Sequence, residues 1–157
     1  MTSCRTCLAV SRDRAKEAAE LWTTLVPDSR IERIIELDGP NDPIVIDLVI
    51  AGAEYQILGA HLQDPSQASS FFLAVPDQAA LDRVWDGFLE RGGSELECAW
   101  ITDPFGFAWQ IVPEPLLEGM RSERKEVRQA AVEPVWRMRR VDVATVEASI
   151  AAAGDDR

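Results

Sequence analysis

The first residues that could do chemistry are two cysteines spaced as Cys4-x-x-Cys7 near the amino terminus. A redox pair works when its first cysteine begins a helix, which lowers the thiol pKa. Here Cys7 instead begins an apolar run through Val10 that predicts a strand, and strand residues three apart point to opposite faces. A zinc site would need two more ligands, for which the chain offers Cys98 and His61. We therefore interpret the two cysteines as small residues at the start of a strand.

Two further side chains could act as an acid or a base. Asp47 interrupts the apolar run 44–50. It lies either on an outer, solvated face or in a cleft, where burial would raise its pKa and make it a candidate base. His61 is the single histidine, and its polar loop is either solvated or close to a cleft. Asp103 precedes Pro104 and is expected to stabilise a turn. No nucleophile and base occur at a recognisable spacing.

Aromatic residues crowd one short segment, which contains Trp100, Phe105, Phe107 and Trp109. They either fill the core, as large rings in strands commonly do, or form a pocket wall for a flat or apolar ligand. Strand alternation places Trp109 on one face with Phe107, and Gln110 on the other. We expect the first pair to pack mainly in the core. Gln110 is the better candidate for a polar group in a pocket, because a buried amide needs a partner.

Composition restricts the class of partner. The chain has 157 residues, with 16 Lys and Arg against 27 Asp and Glu and a formal net charge of −11. This charge repels a phosphate backbone, so nucleic acids and anionic membrane surfaces are poor candidate partners. No apolar run approaches the ~18 residues of a membrane span, and the first residues lack a signal-peptide apolar region. Three cysteines suit a reducing compartment, so we expect a cytoplasmic protein.

The spacing of apolar residues predicts a repeated order of elements. Strands are expected at 7–10, 31–37, 44–50 and 55–58, with a helix from Arg12 that ends at Pro27. The order then starts again with strands at 71–75, 97–102 and 107–112, and with a helix that Asp77 caps and Gly92-Gly93 ends. The offset between the halves is about 65 residues. Two such units would cover each other and enclose a cleft, so the inward strand faces are the expected position of a site.

A helical tail follows the repeat. Ser122 is expected to cap one segment, Pro134 to break it and begin a short helix through Met138, and Asp142 to cap a last helix. We assign the domain to residues 1–113, with modules at about 1–62 and about 68–113, and the tail to 114–157. The tail is expected to pack on the domain or on a partner subunit.

Two stretches resemble a known family: Leu25-Val26-Pro27-Asp28-Ser29-Arg30-Ile31, and Cys98-Ala99-Trp100 through Pro113. They resemble the PhnB-like branch of the vicinal-oxygen-chelate superfamily (glyoxalase, bleomycin-resistance and dioxygenase proteins), often labelled 3-demethylubiquinone 3-methyltransferase-like. The resemblance extends to Val141-Asp142-Val143-Ala144. It implies an α+β fold of paired βαβββ modules, usually assembled as a homodimer. It does not fix the chemistry, because the superfamily contains lyases, dioxygenases, isomerases and drug-sequestering proteins.

This sequence departs from the family pattern at two places. Gly59-Ala60-His61 replaces an Asn-Gly-Gly type of sequence after the fourth strand, and Pro134 falls where the family tends to stay helical. In metal-dependent members of the superfamily, His or Glu side chains on four strands hold a divalent ion. The resemblance places those positions near Thr6/Cys7, Gln56, Ser70 and Gln110. None of these residues is His or Glu, and a neutral amide is a weak ligand, so we expect neither a metal nor another cofactor.

We therefore expect a metal-free protein that binds a small organic molecule. The alternative is an enzyme of the same superfamily, either an isomerase or lyase that uses Asp47 or His61, or the methyltransferase of the family label. A methyltransferase is less supported, because no Gly-rich turn joins a strand to a helix as a nucleotide-like cofactor would require. The candidate ligand-binding residues are Gln56, Gln110, Trp100, Trp109, Asp47 and His61.

Overall fold

Alternating apolar residues build two four-stranded sheets in a computed structural model of the chain, which describes residues 4–36, 44–60, 65 and 68–155. The chain divides into two units, Met1–Pro65 and Ser66–Arg157. Within the described residues, no helix is long and apolar enough to cross a membrane.

The first unit contains four strands and one α-helix among its described residues. These elements are β1 (Thr6–Ser11), a 3₁₀ turn (Arg12–Arg14), α1 (Ala15–Leu25), β2 (Arg30–Glu36), β3 (Ile44–Ile50) and β4 (Ala53–Ala60). The strand order is β1-β4-β3-β2, with β1 parallel to β4 and the other neighbours antiparallel. These elements agree with the strands, helix and hairpin predicted from the sequence.

Helix α1 covers one face of the first sheet. Its small and aromatic residues recur at helical spacing, and Ala15, Ala18 and Trp22 are fully buried. Gly59 on β4 allows this close packing, because a Cβ atom there would lie 2.7 Å from the Cβ of Ala15 and 2.2 Å from Cγ2 of Ile44. The β3–β4 turn has positive φ at both Ala51 (48°) and Gly52 (80°), which suits the twist of a two-residue hairpin.

The second unit repeats this topology. Its elements are β5 (Ser70–Val75), α2 (Gln78–Leu89), β6 (Ser94–Glu95), β7 (Trp100–Thr102) and β8 (Ala108–Pro113), in the sheet order β5-β8-β7-β6. Strand β5 is parallel to β8. The predicted helix cap is confirmed, since the Asp77 carboxylate accepts a hydrogen bond from the Ala80 N–H at 2.8 Å.

The strand predicted at residues 97–102 is wrong in its boundaries. The structure has the very short β6 at Ser94–Glu95 and a separate β7 at Trp100–Thr102. Cys98 and Ala99 lie between them with φ of 57° each. Two consecutive residues in the left-handed region cannot continue a ladder, so the chain turns there.

The tail consists of α3 (Glu114–Arg121), α4 (Lys125–Val132), a 3₁₀ turn (Glu133–Arg137) and α5 (Val143–Asp155). Its three helices contact one another, and a Cβ atom at Gly119 would lie 2.7 Å from both Ala131 and Ile150. The cap at Asp142 is confirmed by a 2.7 Å hydrogen bond from the Thr145 N–H. Pro134 lies in the 3₁₀ turn that follows α4, as expected of a helix breaker.

Candidate functional site

The second sheet has a closed face, which packs on helix α2. Phe71, Leu73 and Val75 alternate inward on β5. Next to them Trp109 stacks on Phe71 with ring centroids 4.0 Å apart, and it contacts Phe88 of α2 at 5.1 Å. This face is therefore the hydrophobic core of the unit, and Trp109 is only 1% exposed.

The other face of this sheet carries the candidate site. Trp100 lies directly beside Gln110 in the β7–β8 register, and Phe72 lies beside Gln110 on β5. The Gln110 amide nitrogen donates a hydrogen bond to the Ser70 hydroxyl at 2.8 Å. Its amide oxygen accepts no hydrogen bond within the described part of the chain. The face thus offers two aromatic rings and one acceptor whose orientation is fixed.

The tail forms the second wall of a pocket over this face. The cavity has a volume of about 200 Å³. Its sheet wall includes Phe72, Trp100 and Gln110, and its tail wall includes Met120, Val135 and Trp136. The described residues that line it include no charged side chain. Because almost every lining side chain is apolar, the pocket favours a mostly apolar ligand.

The tail wall is held by backbone and charged contacts. The Met138 carbonyl accepts a hydrogen bond from the Ala99 N–H at 3.1 Å. Gln78 of α2 donates to the Val141 carbonyl at 3.1 Å and accepts from the Val143 N–H at 2.8 Å. A side-chain amide that donates to one backbone carbonyl and accepts from a nearby backbone N–H fixes that backbone in one position.

Arg140 adds a second attachment of the tail to α2. Its guanidinium forms ion pairs with Asp82 at 3.1 Å and with Asp86. It also lies 5.5 Å from the ring centroid of Trp85, within cation–π distance. These contacts position the neighbouring pocket wall without placing a charge in the pocket.

The first unit has a different arrangement at the matching positions. Asp47 lies beside Gln56 in the β3–β4 register, and its carboxylate accepts from the Gln56 amide at 3.0 Å and from Arg5 at 3.3 Å. The Asp47 side chain is 17% exposed. Both donors lie on the first unit's own residues, so the carboxylate is engaged within its own unit. Asp47 is thus part of a polar network on this sheet.

The structure brings some predicted site residues together and separates others. Trp100 and Gln110 line one pocket, whereas Asp47 and Gln56 pair with each other in the first unit. Trp109 lies on the opposite face from Gln110, so it packs in the core and we leave it out of the candidate site. His61 lies outside the described residues.

Asp103 is buried and makes more hydrogen bonds than the turn alone requires. It is 3% exposed, and its carboxylate accepts hydrogen bonds from the N–H groups of Phe105 and Phe107 and from the Trp109 indole at 3.0 Å. Asp103 therefore fixes the turn, as predicted, and it also holds the core ring of Trp109, which was not predicted.

Sequence reasoning missed Phe72 and the tail residues Met120 and Trp136. The sequence could have indicated Phe72, because strand alternation places it on the face opposite to Phe71 and therefore on the face of Gln110. The exposed fractions of these three side chains are 52%, 41% and 63%, in that order. All three therefore leave apolar surface exposed around the pocket.

The cysteines are free and exposed in the structure. Cys4 precedes β1 and Cys7 lies within it, in agreement with the strand start expected for this pair. Cys98 lies at the pocket, with its sulfur 3.9 Å from the Trp136 carbonyl oxygen.

The residues at the superfamily's metal positions do not suit a divalent ion. The residues at those positions, Thr6, Cys7, Gln56, Ser70 and Gln110, include no His, Asp or Glu, and a neutral amide oxygen is a weak ligand. Within the part of the chain that the structure describes, no group of three or more His, Cys, Asp or Glu residues could hold a metal. We derive no chemistry that depends on a metal.

Comparison with known proteins identifies the family. The family model described as 3-demethylubiquinone-9 3-methyltransferase matches residues 2–112. The chain belongs to this family. No curated protein matches the chain at a significant level. The matched range ends before the tail, so the tail wall of the pocket lies outside it.

Solved structures support the same fold. A PhnB protein from Bacillus cereus, which carries the same methyltransferase label, is 20% identical, with a TM-score of 0.63 over 71% of this chain and 99% of its own. The fosfomycin resistance protein FosX from Mesorhizobium loti is 12% identical, with a TM-score of 0.57 over 77% and 98%. FosX from Listeria monocytogenes is 13% identical, with a TM-score of 0.58 over 78% and 98%.

These likenesses confirm the predicted fold. The two units are βαβββ modules of the vicinal-oxygen-chelate fold, and the family is its PhnB-like branch. The α+β class and the helical tail are confirmed as well.

Proposed function

We propose that this protein binds a small organic molecule, without a metal ion, in the pocket between the second sheet and the tail. The observation that carries this proposal is the pocket itself, a cavity of about 200 Å³ with Trp100 and Gln110 on one wall and Trp136 on the other. Binding sites for small molecules are concave, mostly apolar and supplied with a few fixed polar groups. Gln110, held by Ser70, is such a group.

The methyltransferase activity in the family's description has less support from these residues. Cofactors with a nucleotide part are held where a Gly-rich turn joins a strand to a helix. Among the described residues, the three strand-to-helix junctions lie at Ser11-Arg12, Pro76-Asp77 and Pro113-Glu114, and none contains a glycine. S-adenosylmethionine is also charged and much larger than the pocket, which offers no counter-charge.

A catalytic role for Asp47 is supported still less. Its carboxylate is already engaged by Arg5 and Gln56, and it is not among the residues that line the pocket. The proposal therefore assigns binding, and no reaction, to the pocket.

We also infer that two copies of the chain associate. Phe72, Met120 and Trp136 leave apolar surface exposed around the pocket, and monomers seldom expose large apolar patches. Sedimentation velocity at micromolar concentration should show a dimer, and a monomer alone would contradict this inference. The free thiols of Cys4, Cys7 and Cys98 are compatible with a reducing, cytoplasmic location, which stays a prediction.

The test is a thermal-shift screen against aromatic compounds, divalent metals and S-adenosylmethionine. A ligand at a hundredfold excess over its dissociation constant stabilises the folded state by about 2.7 kcal/mol. We expect at least one aromatic compound to raise the melting temperature and metals to have no effect. Stabilisation by a metal would contradict a metal-free site.

Two matched variants locate the binding. Trp100→Ala removes a pocket wall and should weaken binding of the aromatic compound by roughly tenfold. Asp47→Ala changes the residue at the equivalent register position of the first sheet, and it should leave that affinity unchanged. Equal losses in both variants would show that the compound does not bind at the proposed pocket.

A further inference from the structure

We propose that the pocket takes a neutral, flat aromatic molecule of one ring or two small fused rings, carrying a hydrogen-bond donor that meets the amide oxygen of Gln110. This assignment of a ligand class rests on the proposed function, since it concerns the same pocket. Four features of the pocket support it: its volume, its lack of charge, its rings and its single fixed acceptor.

The volume sets the size of the ligand. A closed apolar cavity of about 150 Å³ is large enough to hold benzene, and pockets for drug-sized ligands have volumes of roughly 300–1,000 Å³. The cavity of about 200 Å³ falls between these values. It therefore accommodates one substituted ring or a small bicyclic molecule.

The lining sets the charge of the ligand. The described residues around the pocket include no Lys, Arg, Asp or Glu. Arg140 is held on α2 by Asp82 and Asp86, so it does not supply a counter-charge. Burial of an unpaired ion in such a site is strongly unfavourable, and a carboxylate or phosphonate should be rejected.

The rings in the pocket differ from the rings in the core. Phe71, Trp109 and Phe88 form a connected aromatic cluster on the α2 face. Phe72, Trp100 and Trp136 contact no other aromatic ring within the described residues. Aromatic pairs gain about 0.5–1.5 kcal/mol beyond the area they bury. A flat aromatic ligand would supply the ring contacts that these three residues lack.

The amide of Gln110 sets the polar group of the ligand. One of its two N–H groups donates to the Ser70 hydroxyl, and its oxygen remains as an acceptor. A ligand with an O–H or N–H group can donate to this oxygen, whereas a ligand of the same shape without a donor would bury the oxygen unsatisfied.

The experiment uses the full chain with four probes: indole, benzofuran, indole-5-carboxylate and cyclohexanol. Indole and benzofuran have nearly the same shape, but benzofuran has no N–H donor. We expect indole to bind most tightly, benzofuran about two- to tenfold more weakly, and the carboxylate at least about a hundredfold more weakly. Cyclohexanol, which has a donor but no aromatic ring, should bind more weakly than indole.

The five tryptophans of the chain provide the readout. In protein labelled with ¹⁵N-tryptophan, the indole N–H signals of Trp100 and Trp136 should shift on addition of indole. The fully buried Trp22, Trp85 and Trp109 should keep their signals and report an intact fold. In Gln110→Leu the difference in affinity between indole and benzofuran should disappear. In Gln56→Leu, the matched change in the first sheet, that difference in affinity should remain.

The outcomes separate the two proposals. Equal affinities of indole and benzofuran for the native protein, or carboxylate binding as tight as that of indole, would overturn the ligand class. Binding in the thermal-shift screen by other compounds, but by none of these probes, would overturn it as well. If no small molecule binds at all, the proposed function itself is wrong.

Discussion

The two sheets of this protein share strand order and register, and they differ in what they place on the face away from the helix. Gln56 and Gln110 occupy equivalent positions, each on the strand parallel to the first strand of its unit. The antiparallel neighbour of Gln56 is Asp47, whereas that of Gln110 is Trp100. One sheet therefore carries a polar network, and the other carries a mostly apolar wall that the tail completes.

This difference shows that the fold fixes positions and that the neighbouring residue decides their chemistry. With Asp47 and Arg5 beside it, the Gln56 amide nitrogen completes an ion-pair network. With Ser70 and Trp100 beside it, the Gln110 amide is held while its oxygen is left without a donor. Duplicated modules can in this way carry a polar network on one sheet and a pocket on the other with the same topology.

The largest expected loss of stability comes from substitutions on the helix-facing sides of the two sheets. Tyr55 and Trp109 are equivalent in register, since they pair with Thr6 and Phe71 respectively. Trp109 is 1% exposed and stacked, so Trp109→Ala should lower the free energy of unfolding by about 3–5 kcal/mol. Tyr55 is half-buried, and Tyr55→Ala should cost about 1–2 kcal/mol. Urea unfolding monitored by circular dichroism measures both, and similar losses would contradict the difference between the two cores.

A smaller loss of stability is expected when the packing of α1 on its sheet is disturbed. Gly59 leaves room for Ala15 and Ile44, and the added methyl of Gly59→Ala would overlap both. We expect a loss of about 1–3 kcal/mol, as for overpacking elsewhere. The equivalent position of the second sheet holds Pro113, so that unit accommodates a side chain there. Gly154→Ala is the control, because nothing lies within 4 Å of its added methyl; a neutral Gly59→Ala would mean that α1 is not fixed against β4.

Much of this could be predicted from the sequence, because strands alternate with a period of two. Alternation alone separates Gln110 from Trp109, and it would have placed Phe72 with Gln110. The two-residue strand β6 was missed because so short a segment has no period to recognise. The tail wall was missed for another reason. Trp136 lies in a 3₁₀ turn of 5 residues, too short for a period that would show which surface it faces, so it gave no sign that it lines a pocket.

The helix caps of the two units are also unequal. Asp77 caps α2 through its side chain, whereas neither Ser11 nor Arg14 makes a side-chain cap hydrogen bond at the start of the first helical segment. Asp77→Ala should therefore lower the free energy of unfolding by about 1 kcal/mol, and Ser11→Ala should change it little. Thermal unfolding of the two variants in parallel tests this. A loss in Ser11→Ala as large as that in Asp77→Ala would mean that the first helix depends on a cap absent from the structure.

The smallest expected effect is a dependence of stability on pH in the acid range. One carboxyl group in each unit contributes to it. In the first unit, a hydrogen bond from Lys16 and then its charge lower the pKa of Glu36 from the ordinary 4.5, with the two groups 2.7 Å apart. In the second, hydrogen bonds from the side chain and backbone of Thr145 lower the pKa of Asp142 from 3.8. A carboxyl with a lowered folded pKa stabilises the folded state above its ordinary pKa, and this contribution is lost as the pH falls through the lowered value.

Conservative variants separate these two contributions from those of the other acidic groups. Asp142→Asn keeps a good helix cap but cannot titrate, so its stability near neutral pH should stay close to native. Below about pH 5 its melting temperature should fall less steeply than that of the native protein. Glu36→Gln should change the acid slope in the same direction, through an exposed pair in the other unit. Curves of melting temperature against pH that run parallel for the native protein and Asp142→Asn would show that the Thr145 contact does not stabilise the charged carboxyl. Arg140 and Gln78 would then hold the tail on α2 without a contribution from the charge of Asp142.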